Sequence, residues 1–179
     1  MVRAHVGGYG SSLALVHRPR FNSSQKEFTA VTHTGFTEAE SEFIRNELVL
    51  RFNSSDETAM IHSVPVCFAF DGNSFFIHAR RENAKRWRNI KAKSSVSLEL
   101  DSYSDDWSKL KGVLVYGTAQ FIESEDDKKI ALSLLKEKYR QYREGSSALT
   151  THDALVKILP NKVTSWYLAG SSIRSFGSY

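Results

Sequence analysis

Little in this chain favours a covalent framework. Among its 179 residues there is one cysteine, Cys67, and there are three prolines, Pro19, Pro65 and Pro160. A single cysteine excludes an intramolecular disulfide scaffold and makes a reducing cytoplasm the natural setting. It lies inside an apolar run, where a thiol behaves as a small core residue rather than as a nucleophile. No Cys/His cluster has the spacing of a metal site. No Gly-x-Ser-x-Gly elbow is present to support a Ser/His/Asp hydrolase. No apolar run approaches the ~18–20 residues a membrane helix needs, and Leu13–Val16, the longest in the first 35 residues, is too short for a signal peptide. Acids are missing altogether before Glu27.

Against these absences, 41% of the residues are hydrophobic and 12% aromatic, enough for one globular domain with a substantial core. The net charge of +4 and pI of about 9.2 suit anionic small molecules or a nucleic acid and decide between neither. Residues 1–35, with Gly7, Gly8, Gly10 and many serines, are expected to form a flexible extension. A transit segment and a start placed too early are further readings of the same stretch. Residues 36–170 are expected to form the folded domain and 171–179 a mobile tail. On this division, removing residues 1–34 should leave folding intact.

Thr37 and Glu40 form a capping-box pattern that starts a helix with Phe43, Ile44 and Leu48 on its apolar side. Leu48–Phe52 reads as a strand and Thr58–Phe70 as a longer one. Pro65 cannot donate to a ladder, so it places that strand at an edge or at a bulge. Asp71-Gly72-Asn73 is a turn that joins Phe70 to the strand Ser74–Ala79 as a hairpin, since Asp and Gly tolerate the backbone of a tight turn. A basic helix over Glu82–Ala92 follows, then strands at Ser95–Asp101 and Leu110–Glu123, with a bend expected at Gly117. Glu125–Arg143 has helical periodicity, with acids in its first turn and cations at its end, matching the helix dipole. Ala154–Leu159 and Val163–Leu168 read as two strands separated by a turn at Pro160-Asn161. Short strands with interposed helices and no βαβ alternation indicate a mainly antiparallel barrel with helices over its openings.

The basic helix is the one concentrated chemical signal. Ala84, Trp87 and Ile90 recur on a face that packs on the sheet. Lys85, Arg88 and Asn89 share another face at i, i+3 and i+4, and Arg86 neighbours Asn89. A cationic helix start beside a sheet edge suits an anion, because the free backbone N–H groups and the dipole add to the side-chain charge. A solvated basic face is the plain alternative. His62 and His78, expected in neighbouring strands, would meet only if both point to one face. Asp101, Asp105 and Asp106 read as caps of a loop closing on Trp107 rather than as a metal set.

The runs His62–Gly72, Arg86–Ile90, Val96–Leu98, Asp101–Trp107 and Val113–Ala119, in that order, resemble the flavin-binding split-barrel superfamily of pyridoxamine-phosphate oxidases and their deazaflavin-dependent relatives. The Tyr103-Ser-Asp-Asp-Trp107 element is most similar to the deazaflavin branch. The resemblance spans about residues 37–168. Two turns depart from it: Asn53–Thr58 lacks the glycine usual in the first hairpin, and Lys93-Ser94 replaces a usual Asn-Pro.

The resemblance implies a split β-barrel and an oxidoreductase that binds FMN or a deazaflavin (coenzyme F420). It implies hydride or electron transfer to or from a small organic substrate. Lys85 and Arg86 match the positions that grip the cofactor phosphate, with Arg88 and Asn89 in support. Ala79 and Arg80 match the strand end beside the phosphate and ribityl chain, Ser63 and Val64 the backbone lining the ring, and Trp107 a residue reaching in from a second subunit. It also implies a homodimer with two cofactor sites at the interface. The absence of an obvious catalytic set is consistent with this, since a redox cofactor carries the chemistry and the protein binds and orients it. A non-catalytic flavin or haem carrier on the same barrel is the alternative. A nucleic-acid module is the weakest reading, because the cations gather at one helix without an aromatic stacking surface.

Overall fold

The structure, a computed structural model, describes residues 30–79, 84–106, 109–150 and 152–166. Among the described residues, three helices and eight strands follow one another in the order β1 (Ala30–His33), α1 (Glu38–Asn46), β2 (Leu50–Ser55), β3 (Ile61–Val66), β4 (Phe68–Phe70), β5 (Phe75–Ala79), α2 (Lys85–Ala92), β6 (Ser95–Ser102), β7 (Lys111–Phe121), α3 (Glu125–Lys138) and β8 (Ala154–Trp166). Short 3-10 turns at Arg140–Tyr142 and Gly145–Ser147 lie between α3 and β8. All pairings are antiparallel, and the strand order is β3-β2-β6-β7-β8-β5-β4, with β1 added beside β8.

That order dictates a barrel. Strands β3 and β4 stand at opposite ends of it, yet only Cys67 separates them in sequence. The sheet must therefore curl until its two edges meet. The run expected as one strand from Thr58 to Phe70 is thus two strands, broken where the chain passes from one edge to the other. Pro65 lies in β3, an edge strand as anticipated. Cys67 is half-buried at the seam rather than inside a strand.

The barrel interior follows from alternation. Leu50 and Phe52 of β2, Val96, Leu98 and Leu100 of β6, Val113 and Val115 of β7, and Val156, Ile158 and Val163 of β8 form one buried cluster. Helices α1 and α2 add Phe43, Ile44, Trp87 and Ile90 to it. A second cluster packs α3 (Ala131, Leu132, Leu135) against Ala69 and Phe76 on the opposite face of β4 and β5. At about 25 cal/mol per Å² of apolar area removed from water, these two layers supply the main favourable term of folding.

Strand β8 shows why two strands and a turn were expected where one strand exists. Val156 and Ile158 point inward at even positions, whereas Val163 and Ser165 do so at odd ones. The pairing shifts between Tyr116↔Lys162 and Gly117↔Pro160, which leaves Asn161 as one extra residue, a β-bulge. Gly117 is required opposite it: a Cβ there would sit 2.7 Å from the Leu159 carbonyl oxygen. The bend expected at Gly117 is this bulge.

Helix α1 has the anticipated capping box, with Glu40 N–H donating to Thr37 Oγ1 (3.3 Å) and Thr37 N–H to Glu40 Oε2 (2.8 Å). It ends at Asn46, so Leu48 is exposed rather than on the apolar side. Glu40 is buried, and His33 Nε2 lies 2.9 Å from its Oε1. Burial pushes its pKa up. The nearby Ser165 hydroxyl, which falls outside hydrogen-bond geometry, the Thr37 N–H and His33 outweigh that and hold it below 4.5. Strand β1 lies inside the stretch expected to be an extension. Four residue pairs with β8 and the His33–Glu40 bond instead tie Ala30–His33 to the domain. Residues 1–29 and 171–179 lie outside the described residues.

Helix α3 is shorter than expected, ending at Lys138, with Tyr139 as its cap and Tyr142 in the following 3-10 turn. Tyr139 reaches the seam. Its hydroxyl accepts from Phe68 N–H (3.0 Å) and shares its proton between the carbonyl oxygens of Leu48 (2.7 Å) and Phe68 (2.9 Å). Burial raises its pKa, so it remains a donor throughout the physiological range.

Two outcomes are expected. Tyr139→Phe leaves the buried groups at the seam without their phenol and should cost about 1–3 kcal/mol in urea unfolding; an unchanged midpoint would show that the seam does not need it. A chain starting at residue 35 should melt about 4–8 °C below one starting at residue 30, taking ~2 kcal/mol for the lost strand at ~2–4 °C per kcal/mol. The Glu40 part of the difference should be full above pH 4.5 and vanish as acid protonates its folded carboxylate.

Candidate functional site

The β4–β5 hairpin forms as expected. Asp71 Oδ1 accepts from the N–H groups of Asn73 (2.8 Å) and Ser74 (2.6 Å), and Gly72 takes φ +102°. It delivers the chain through Ala79 to α2. Ala84 caps α2 with no side-chain hydrogen bond, and no acid stands in its first turn. The start of the helix thus keeps its positive dipole uncompensated by a first-turn acid, which favours an anion.

The faces of α2 sort its residues. Trp87 and Ile90 are buried in the barrel interior and Ala84 packs beside them, as anticipated. Lys85, Arg88 and Asn89 line a cleft of about 340 Å³ shared with the β2–β3 hairpin. Within it, Asn89 is 2% exposed, and its Nδ2 donates to Ser54 Oγ (3.1 Å). It therefore fixes the helix to β2 and turns only part of its surface to the cleft. Arg86 does not join this group. It is half-buried on the other flank, where Nη2 donates to the His78 carbonyl oxygen (3.4 Å), the guanidinium lies 5.0 Å from the Trp87 ring centroid, and Nε has no hydrogen-bond partner among the described residues. Burial lowers its pKa, and Tyr142 offsets part of that loss.

The other wall of the cleft is the β2–β3 turn. Asp56 Oδ1 accepts from Thr58 N–H (3.0 Å), Thr58 Oγ1 (2.7 Å) and Met60 N–H (3.0 Å), while Oδ2 faces Lys85 Nζ at 3.8 Å. Lys93 Nζ donates to the Glu57 carbonyl oxygen at 3.3 Å. The Thr58 hydroxyl first, and then the Met60 N–H, keep Asp56 below its usual pKa. Ala59 has φ +64°, so the turn has the left-handed residue that glycine usually supplies, with alanine in its place. Sequence reading missed Asp56 as the partner of Lys85. The Asp-x-Thr spacing signals the turn but not which helix it meets.

Of the other expected site residues, Ser63 is exposed on β3 and pairs in register with Asn53. Val64 packs partly against the core and leaves its backbone at the edge of the sheet. Across the outer face, Ser63, Asn53, Ser97 and Tyr116 follow one another on β3, β2, β6 and β7. Asn53, Ser97 and Tyr116 line a second cleft of about 240 Å³, with Ile61 at its rim. Ala79 ends β5, while Arg80 and Trp107 lie outside the described residues. His62 on β3 and His78 on β5 are not on neighbouring strands, contrary to expectation; His62 pairs with Ser54, and the His78 ring packs on Tyr142 at 4.7 Å between centroids. Asp101 forms an ion pair with Arg51. Among the described residues no group of His, Cys, Asp and Glu could hold a metal ion, and no helix is long and apolar enough to cross a membrane.

A family model described as "Pyridoxamine 5'-phosphate oxidase" matches residues 36–167. The chain belongs to the pyridoxamine 5'-phosphate oxidase family. No curated protein matches it significantly in sequence. Solved structures of the same fold include an FAD-binding protein from Mesorhizobium loti (18% identity, TM-score 0.59, covering 76% of this chain and 96% of that one). A heme storage protein from Vibrio cholerae is similar at 16% identity and TM-score 0.58, covering 68% and 87%. So is an F420 reductase at 16% identity and TM-score 0.57, covering 72% and 98%. The barrel expected from the sequence is thus the family's split barrel, and the β2–β3 turn and α2 are the elements that line the cleft.

Ala59→Gly should stabilise the domain by about 0.5–1 kcal/mol, the relief of left-handed strain less the added freedom of the unfolded chain. Thermal melting checks this; a lower midpoint would show that the alanine methyl is worth more than the strain.

Proposed function

We propose that this protein is an oxidoreductase that binds a flavin-type cofactor, FMN or a deazaflavin such as coenzyme F420, and exchanges hydride or electrons with a small organic substrate. The observation that carries the reading is the start of α2, with no side-chain cap and no acid in its first turn, and with Lys85 and Arg88 on one cleft-lining face opposite the β2–β3 turn. Amide donors, helix dipole and two cations form a phosphate cradle. Lys85 and Arg88 would hold the phosphate, and Asn89 would keep the helix seated on Ser54. The β3 backbone at Ser63 and Val64 would flank the ring, and the cofactor would supply the redox chemistry. Arg86, on the opposite flank, would steady the helix against β5 through the His78 carbonyl. Arg80 and Trp107 complete the family pattern.

The protein would work as a homodimer through the outer face of β3, β2, β6 and β7, where Ile61 is 73% and Tyr116 45% exposed among serines and asparagine. An interface above roughly 1,000 Å² is expected, and a monomer in sedimentation at micromolar concentration with cofactor present would count against it. Similarity to the heme storage protein supports a second reading, a carrier on the same barrel. A Soret band in the purified protein would favour it, and a flavin-like band the first.

Titration with FMN and with F420 tests the main reading. Lys85→Ala with Arg88→Ala should weaken binding at least tenfold, at about 1.4 kcal/mol per decade. Apo melting should stay within about 0.5 kcal/mol of wild type, since both side chains reach solvent. Unchanged affinity would leave a solvated basic face.

A further inference from the structure

The cleft holds a feature that a phosphate cradle does not call for. Its charges nearly cancel: Lys85 and Arg88 face Asp56 and Glu57. The two acids differ in kind. Glu57 is exposed, and it is the backbone oxygen, not the carboxylate, that meets Lys93. Asp56 is fixed. One oxygen is committed to three hydrogen bonds within its own turn, and this aims the other at Lys85. Hydrogen bonds from Thr58 and Met60 also keep the carboxylate ionised.

We infer that Asp56 is an affinity-setting residue of the anion cleft: a built-in counter-charge that occupies Lys85 and that an anionic ligand must displace. The inference rests on the cradle reading above and adds a specificity element to it. A ligand with a single negative charge gains little over the resident carboxylate, whereas a dianion such as a phosphate monoester offers Lys85 and Arg88 more than Asp56 does. The cleft thereby selects for doubly charged ends, and it stays neutral when empty, which spares α2 the repulsion of clustered cations. The turn need not open for the exchange, because the bonds that hold it use the other oxygen.

Inorganic phosphate at neutral pH is the probe, with equilibrium binding measured for wild type, Asp56→Asn and Glu57→Gln. Asparagine keeps an oxygen for the three turn bonds, removes the charge and puts an NH2 in place of the oxygen that faces Lys85. Asp56→Asn should bind phosphate about three- to tenfold more tightly than wild type, and Glu57→Gln, which removes an equal charge from the same wall, less than twofold. Equal affinity of Asp56→Asn and wild type, or equal gains in both variants, would overturn the inference and leave the cradle standing. Wild type and Asp56→Asn both failing to bind phosphate would overturn the cradle as well. Should Asp56→Asn fold poorly, the wild type provides the readout. The Asp56 carboxyl carbon should titrate at higher pH with saturating sulfate than without it, since the bound anion takes its cation, and no movement would overturn the inference.

Discussion

The fold depends on how the chain crosses its own seam. Between Val66 and Phe68 it leaves one end of the strand order and enters the other, so the ladder cannot continue through Cys67. Backbone groups buried at such a break need partners. Tyr139 supplies them from outside the sheet, contacting both the N–H and the carbonyl of Phe68 and the carbonyl of Leu48. One side chain thus joins α3, the start of β4 and the segment before β2. The second core layer, with Leu135, Ala131 and Phe76, holds α3 where that phenol can reach. Beside it the Lys138 ammonium sits 3.6 Å from the Phe68 ring centroid with no hydrogen-bond partner among the described residues, and burial lowers its pKa to about 8. The seam tolerates that cost because the ring face replaces part of the lost hydration.

Helix α2 shows how a short element can serve several constraints at once. Trp87 and Ile90 close the barrel interior, Asn89 bonds to β2, Arg86 bonds to the backbone of β5, and Lys85 with Arg88 faces the cleft. The anchoring residues fix the rotation of the helix, and the rotation aims the cations. The site is therefore built on the core rather than added to its surface.

Much of this was legible in the sequence, because local rules carried it. The Thr37–Glu40 box, the Asp71–Gly72 hairpin, the apolar face of α2 and the edge position of Pro65 each rest on neighbours within a few residues. The features that were not legible depend on partners far along the chain. Nothing local in Ala30–His33 announces the β8 strand it pairs with, and the break at Cys67 is invisible within an apolar run. The separation of Arg86 from Lys85 follows from which flank of α2 meets β5. The Asp56–Lys85 contact likewise needs the hairpin and the helix to meet. Charge periodicity located the cationic helix, and only the packing shows which cations share a cleft.

Strand β8 behaves like a text with one letter inserted. Upstream of Asn161 the inward frame is even, and downstream it is odd. Were Asn161 kept and the bulge lost, Val163 and Ser165 would face out while Lys162 and Thr164 turned into the core. The Asn161 side chain has a light duty, a bond to Thr118 Oγ1 at 3.1 Å on the surface. Removing the residue would set Pro160 and Lys162 side by side, opposite Gly117 and Tyr116, and the rest of the strand would keep its face toward the core and its place between β7 and β1. The strand can drop the letter or bulge around it, but it cannot read it in line.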